Sequence, residues 1–450
     1  MSHLSVAKFG GTSVANYPAM QSCANIVIAD PNTRVVVLSA SAGVTNLLVA
    51  LANGCEEPER NELLNEVRQI QENILTELKD DSRVRPKIEA LLANITSLAE
   101  AANLATSLAL TDELISHGEM MSSLIFVEVL RELQIEATWL DVRTIVATNS
   151  HFGKAAPNDE QTRQNCDNLL KPLIERGELV ITQGFIGRDE QGKTTTLGRG
   201  GSDYSAALLA EVLNAQDVLI WTDVAGIYTT DPRIVQTAQR IDTMSFSEAA
   251  EMATFGAKVL HPATLLPAVR SNIPVYVGSS KAPQDGGTWV TRNPQPRPTF
   301  RAIALRRDQT LLTLSSLNML YAQGFLANIF TILAKHKISV DTITTSEVSV
   351  ALTLDKTGSA SSGKSLLSQE LIEELSQFCT VKVDTGLSLV ALIGNELHTA
   401  SGVAKRIFET LDAYNIRMIS YGASTNNICL LADSDKADDI VRSLHRSLFE

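Results

Sequence analysis

The chain has few cysteines, an excess of acidic over basic charge and no long apolar run. Its five cysteines, at 23, 55, 166, 379 and 429, are odd in number and share no metal or redox spacing. That excludes a disulfide framework or a zinc module as the organising device, and they read as small buried hydrophobes in a reducing compartment. Lysine and arginine total 38 against 51 acidic residues, a net charge of −13, with no basic run. A nucleic-acid partner is therefore not expected, and anion binding is left to local loops. No uninterrupted apolar run approaches a membrane span, and the apolar part of the N-terminal MSHLSVAKFGG is too short for a signal peptide. A soluble, cytoplasmic protein that does not engage membranes is expected. Its 450 residues, 44% hydrophobic, suffice for two or three domains.

What the chain does have is glycine at strand ends. Residues 194–210 read TTTLGRGGSDYSAALLA, a pattern of strand, glycine loop and helix. Gly198, Gly200 and Gly201 let backbone N–H groups approach a ligand, and the following helix N-terminus adds a positive dipole end. Arg199 can fork onto a carboxylate or phosphate, and Asp203 can hold a metal or orient a lysine. A second such loop, Lys8-Phe9-Gly10-Gly11-Thr12-Ser13-Val14, ends the strand expected at 4–9. Its lysine precedes the glycines, which is not P-loop order; an ammonium there can neutralise developing phosphate charge. A surface lysine beside a turn is the plainer alternative. A third loop, Ala40 to Asn46, ends the strand expected at 34–39 and consists mostly of small residues. Ligands in open α/β sheets sit outside such carboxyl ends.

Residues 56–108 predict a helical hairpin serving as a lid or an oligomer surface. A helix follows at 110–132, with Thr111 as its N-cap. Gly118 inside that helix costs about 1 kcal/mol against alanine, which implies a close backbone approach. The adjacent Glu119 could hold an ammonium or simply be solvated, and His117 reads as structural. Strands are expected at 136–141, 179–185, 217–222 and 274–278. The loop from Asp223 to Arg233 offers Tyr228 for stacking and Arg233 for phosphate, and Lys258 lies beside another glycine. The alternation of strands and helices predicts a mostly parallel open sheet with helices on both faces. The proline-rich TRNPQPRP at 291–298 reads as a linker.

The last third repeats itself at a constant offset of 78 residues (402 less 324, and 433 less 355). Gly324, Ile329, Phe330, Leu333, Ile338, Ser346 and Leu352 match Gly402, Ile407, Phe408, Leu411, Ile416, Ser424 and Leu430. Each copy reads strand, glycine turn, amphipathic helix, strand, turn, strand, which predicts paired α+β units. The copies differ at one telling place: Asp341 of the first is matched by Ile419 of the second. An amino-acid effector carries an ammonium that needs a paired anion. Asp341 can supply it, near the backbone of Gly324, Phe325, Leu326 and Val340 and the hydroxyls of Ser339, Thr345 and Ser346.

Taken together, Lys8 to Ser13, Gly198 to Asp203, Thr222-Asp223 through Tyr228 to Arg233, and Phe255 to Pro262 resemble aspartate kinases of the amino acid kinase family. The repeat is similar to the tandem ACT domains those enzymes carry. The nearest form is the lysine-sensitive, single-function one, and the end of the chain at Glu450 leads us to expect no dehydrogenase half. The resemblance implies a catalytic domain at 1–292, a linker at 293–307, and ACT-like regulatory units at 308–385 and 386–450. It implies ATP with Mg2+, transfer to the β-carboxylate of L-aspartate, and feedback inhibition by L-lysine. By the same resemblance Lys8 and Asp203 are catalytic. Thr45, Glu119, Arg199, Gly200, Gly201 and Ser202 bind aspartate. Lys8, Gly10, Gly11, Thr12, Thr222, Asp223, Tyr228, Arg233, Lys258 and Val259 hold the nucleotide. Met319 and Glu347 join the segment around Asp341 as the lysine site, with no metal held by side chains alone. A homodimer or homotetramer through the ACT domains is expected. Two alternatives stay open: another kinase of this fold, acting on glutamate, N-acetylglutamate or UMP, and a non-catalytic amino-acid sensor.

Overall fold

The apolar runs around residues 5–9, 34–38, 179–183 and 217–222 all become strands of one sheet, as Val/Ile/Leu-rich runs do when both faces are covered. The structure, a computed structural model, describes residues 3–198, 200–256, 260, 265–320, 323–355 and 367–450. It divides into two units. One spans Met1–Ile227, Arg240–Ala250 and Lys258–Gln295; the other spans Tyr228–Gln239, Glu251–Ala257 and Pro296–Glu450.

The strands in chain order are β1 (Ser5–Phe9), β2 (Thr33–Leu38), β3 (Ala137–Trp139), β4 (Ala147–Thr148), β5 (Leu179–Gln183), β6 (Ile186–Asp189), β7 (Thr194–Thr196), β8 (Asp217–Thr222), β9 (Thr243–Ser245), β10 (Val275–Ser279) and β11 (Gly287–Thr291). Eight of them form the main sheet of the first unit, in the order β3-β5-β2-β1-β8-β10-β11-β9. Every pairing in it is parallel except β10 with β11. This is the mostly parallel sheet that the alternation predicts. The strand that opens the 194–210 stretch, however, lies outside it, in a small three-stranded sheet β4-β6-β7. On the main sheet Phe9, Trp221, Tyr276 and Trp289 form a row of ring contacts across β1, β8, β10 and β11. Aromatic neighbours of this kind contribute beyond their buried area.

The expected hairpin is there as Glu57–Leu75 and Arg85–Leu104. Its apolar stripe, including Val67, Ile74, Ile88 and Ile95, is continuous with the main core. The next helix spans Leu108–Glu132. Its cap is Ser107, whose side chain accepts from the Leu110 N–H, and not Thr111. The earlier residue wins because its extended backbone aims the hydroxyl oxygen at the free N–H groups of the first turn.

The second unit carries a six-stranded antiparallel sheet: β12 (Phe300–Ser315), β13 (Ser339–Thr345), β14 (Ser349–Asp355), β15 (Thr380–Gly394), β16 (Ile416–Tyr421) and β17 (Asn427–Asp433). Its order is β13-β14-β12-β15-β17-β16. The repeat is visible in space. Helices Phe325–Lys335 and Val403–Thr410 both start after a left-handed glycine, Gly324 and Gly402. Strands β12 and β15 are long enough to serve both copies. The C-terminal half of β12 pairs with β14 and with the start of β15. Its N-terminal half, from Phe300 to Arg306, pairs with the end of β15, which in turn pairs with β17. Phe300 and Ile303 accordingly share a core with Val390, Ile407, Leu430 and Leu444 of the second copy. The segment expected as linker thus contributes a strand and core residues to that copy.

Candidate active site

Lys8 sits on the central strand β1 between β2 and β8 and is 8% exposed. A charge so placed needs a partner. Asp203, in the first turn of the helix Gly201–Leu213, provides it: its Oδ1 lies 2.6 Å from the Lys8 Nζ. The pair stands beside the glycine loop that follows β1. There a Cβ on Gly10 would come 3.6 Å from the Lys8 Nζ, and one on Gly11 would come 2.8 Å from the Ala40 carbonyl. The second contact is too tight for any side chain, so glycine is required where the second and third loops meet. The Ala42 N–H donates to the Gly11 carbonyl, and Ser13 and Ser280 share a buried hydrogen bond of 2.6 Å.

Gly118 also finds its reason here. A Cβ on it would lie 2.7 Å from the Ala40 Cβ, so the close approach is to protein. It brings Glu119 against the third loop, where Oε1 accepts from the Ala40 N–H at 3.2 Å. Glu119 is 3% exposed and its Oε2 is buried without a hydrogen-bond partner. Burial pushes its carboxyl up to about 8, against a weaker downward pull from the Ala40 N–H and the Lys8 charge. His117 hydrogen-bonds the Glu113 carbonyl and Asn94, and burial lowers its pKa, which fits a structural imidazole.

The remaining candidates are placed as follows. Gly200 is left-handed and caps the Gly201–Leu213 helix, with Ser202 buried in its first turn. Gly184 packs so closely on Ser202 that a Cβ would fall 2.5 Å from the serine Cβ. Thr45 is half-buried in the helix Val44–Ala52, and Thr12 is exposed. Thr222 ends β8 and its hydroxyl donates to Asp223. Tyr228 and Arg233 belong to the second unit, where Arg233 is 90% exposed and ion-paired with Asp231 at 2.7 Å. Arg199, Lys258 and Val259 lie outside the described residues. Among the described residues no group of three or more His, Cys, Asp or Glu side chains could hold a metal ion. In the second unit Gly324, Phe325 and Leu326 start a helix, and Ser339, Val340, Asp341 and Thr345 lie on the edge strand β13. Ser346 and Glu347 follow β13 and are exposed, and Met319 is half-buried.

Three residues that sequence reasoning passed over take part. Ser41, in the third loop, has a buried hydroxyl with no hydrogen-bond partner. Phe185, after Gly184, holds a left-handed φ of 72°, its N–H bonded to the Ser205 hydroxyl and its carbonyl to the Leu197 N–H. Non-glycine residues in that region cost roughly 1–3 kcal/mol and cluster at functional sites. Asp112 is fully buried and accepts from the Gly153 and Thr196 N–H groups and the Thr196 hydroxyl, fixing the strand that leads into Gly198. Only Asp112 carried a signal, an acid near the start of an apolar helix.

A buried lysine–carboxylate pair at a strand's carboxyl end, between glycine loops and a helix N-terminus, is an arrangement able to hold and neutralise phosphate charge. The amino acid kinase family pattern matches residues 3–279, and an ACT-domain pattern matches residues 390–448. Over 450 residues, all of both chains, the sequence is 62% identical to lysine-sensitive aspartokinase 3 of Escherichia coli (strain K12). It is 35% identical to the chloroplastic aspartokinase 3 of Arabidopsis thaliana, over 99% of this chain and 81% of that one. Among solved structures, E. coli aspartokinase III in complex with aspartate and ADP matches with a TM-score of 0.90 at 61% identity, over the whole of both chains. The same enzyme in complex with lysine and aspartate matches with a TM-score of 0.88. The chain belongs to the amino acid kinase family and, within it, to the aspartokinases.

Proposed function

We propose that this chain transfers the γ-phosphoryl group of ATP to the β-carboxylate of L-aspartate, giving 4-phospho-L-aspartate, and that L-lysine inhibits it. The observation that carries the reading is the Lys8–Asp203 pair at 2.6 Å beside two glycine loops. Phosphoryl transfer asks for positioning and charge neutralisation more than covalent chemistry. In this reading the Lys8 ammonium stabilises the charge on the transferring group, Asp203 holds that ammonium in place, and Gly10, Gly11 and Thr12 cradle the phosphates. Asp203 also offers a carboxylate to a magnesium ion carried in on the nucleotide, and that ion would neutralise the phosphate oxygens. Aspartate has two carboxylates and one ammonium. The unpartnered Glu119 Oε2 fits the ammonium, Ser202 and the Gly200–Gly201 backbone at the helix start fit the α-carboxylate, and Thr45 stands on the helix that follows the third loop. We assign Arg199 to the same carboxylate, and Lys258 and Val259, with Thr222, Asp223, Tyr228 and Arg233, to ATP.

Glu119 favours a substrate with a free amino group, which N-acetylglutamate and UMP lack. ADP release coupled to hydroxylamine trapping, run with aspartate, glutamate and homoserine, tests the reading. Aspartate alone should support turnover; turnover only with another acceptor, or none at all, overturns it. Repeating the assay with lysine, threonine and methionine tests the effector. The lysine site is the segment around Asp341, supported by the carboxylate that the first copy has and the second lacks. We also infer a homodimer or homotetramer, in the cytoplasm. The half-exposed apolar side chains Leu326, Ile343 and Tyr421 of the second unit support a buried subunit contact.

A further inference from the structure

Asp341 already has a cation. The Arg306 Nη1 lies 2.8 Å from its Oδ2, and the two side chains are only 15% and 10% exposed. Both residues occupy irregularities of the sheet. The pairing of β13 with β14 skips Asp341, passing from Val340 to Thr342, which marks a bulge. The pairing of β12 with β15 slips between Arg306 and Gln309, where Asp308 adopts a left-handed φ of 57°. Bulges re-aim side chains, and these two aim an arginine and an aspartate at each other. Arg306 lies on the half of β12 that serves the second copy, and Asp341 belongs to the first. The ion pair therefore joins the copies. The second copy handles its own bulge differently: Arg417 is skipped there and is neutralised by Asp384 and Asp433 at 3.3 and 3.4 Å.

An ammonium arriving at Asp341 does not meet a bare anion. A second cation on this largely desolvated carboxylate competes with the guanidinium for the same oxygens. We propose that Arg306 is a residue of the effector site, holding the Asp341 carboxylate in the free protein and yielding it to the ammonium of a bound amino acid. This rests on the reading of Asp341 as the effector's anion. Effector binding is then an exchange of one ion pair for another, and Arg306 sets how much effector is needed.

The test measures the lysine concentration that halves turnover of the full-length protein, together with lysine binding by calorimetry. Arg306→Gln removes the competing charge while keeping a polar side chain. It should lower the half-inhibiting concentration roughly tenfold, the scale of one charge-assisted hydrogen bond. Arg306→Lys keeps a cation without the planar fork and should lower it by less. If Arg306→Gln does not fold, Arg306→Lys decides alone. An unchanged or raised half-inhibiting concentration in the folded variants overturns the proposal. Asp341→Asn separates the two layers of the argument. If that variant stays as lysine-sensitive as the parent, the assignment of Asp341 itself is wrong and the exchange falls with it. If Asp341→Asn loses lysine sensitivity while the Arg306 variants match the parent, only the exchange is wrong.

Discussion

The two units bury charge in opposite ways. In the first, Lys8 and Asp203 sit at a strand end and a helix start of a mostly parallel sheet, and Glu119 sits inside the helix Leu108–Glu132, beside Gly11 and Gly118, where no side chain fits. In the second, Asp341 and Arg306 sit where an antiparallel sheet is irregular. Chemistry needs charges that cannot move, because a preorganised site costs no reorganisation at the moment of reaction. Regulation needs a charge whose partner can be exchanged, and a bulge that one ion pair bridges suits that better than a close-packed strand end.

The sharpest way to break the comparison is at Lys8. Lys8→Ala removes the cation aimed at the transferring group and should cost turnover on the order of 10²-fold or more, with a smaller change in the ATP Michaelis constant. Near-parental turnover would contradict the fixed-charge account of the first unit. In the second unit, Asp341→Ala should raise the half-inhibiting lysine concentration roughly tenfold or more while leaving uninhibited turnover close to the parent. A parallel loss of turnover would show that the two units do not divide the work in this way.

Glu119 gives a pH signature. Its carboxyl is pushed up to about 8 by burial, so it is protonated in the free protein below that pH, whereas an incoming ammonium needs it ionised. The apparent Michaelis constant for aspartate should therefore rise as pH falls below about 8, by roughly tenfold per unit at the limit, and Glu119→Gln should flatten the profile. Stability has its own sign. The folded pKa lies above the reference value of 4.5, so between 4.5 and about 8 the native state binds the proton more tightly than the unfolded chain. That part of the stability is complete at low pH and is lost as pH rises through the window. A melting-temperature series on Glu119→Gln should lack this decline.

The smallest effect is expected at Ile419, the counterpart of Asp341. It is 39% exposed rather than core, so Ile419→Ala should cost about 1 kcal/mol or less in denaturant unfolding and leave the lysine response in place. Leu430, fully buried in the same copy, is the internal reference, at about 2–5 kcal/mol for Leu→Ala. Equal costs at the two positions would mean that Ile419 is buried in the working protein.

The glycine loops could be read in the sequence because glycine at a strand end is a local statement about backbone geometry. The repeat could be read because its period survives intact from Gly324 to Leu430. The cap expected at Thr111 lies four residues past the true one, since Ser107 and Thr111 are both acceptable caps and backbone geometry chooses between them. Phe300 to Arg306 looked like linker because the prolines before it dominate its local character. Its partner strand lies some ninety residues away, and pairing over that distance leaves no local trace.

By itself, then, the sequence determined the parallel sheet, the loops at its carboxyl ends, the duplicated α+β unit and the residue types the chemistry requires. These follow from periodicity, backbone permissiveness and charge, which act over a few residues. Only the tertiary structure decided that Gly118 serves Ala40 and not a ligand, that Glu119 is buried with one oxygen unpartnered, and that Arg306 faces Asp341. Each of these is a meeting of segments tens of residues apart. Burial, desolvation and ion pairing come into being only when such segments close on one another.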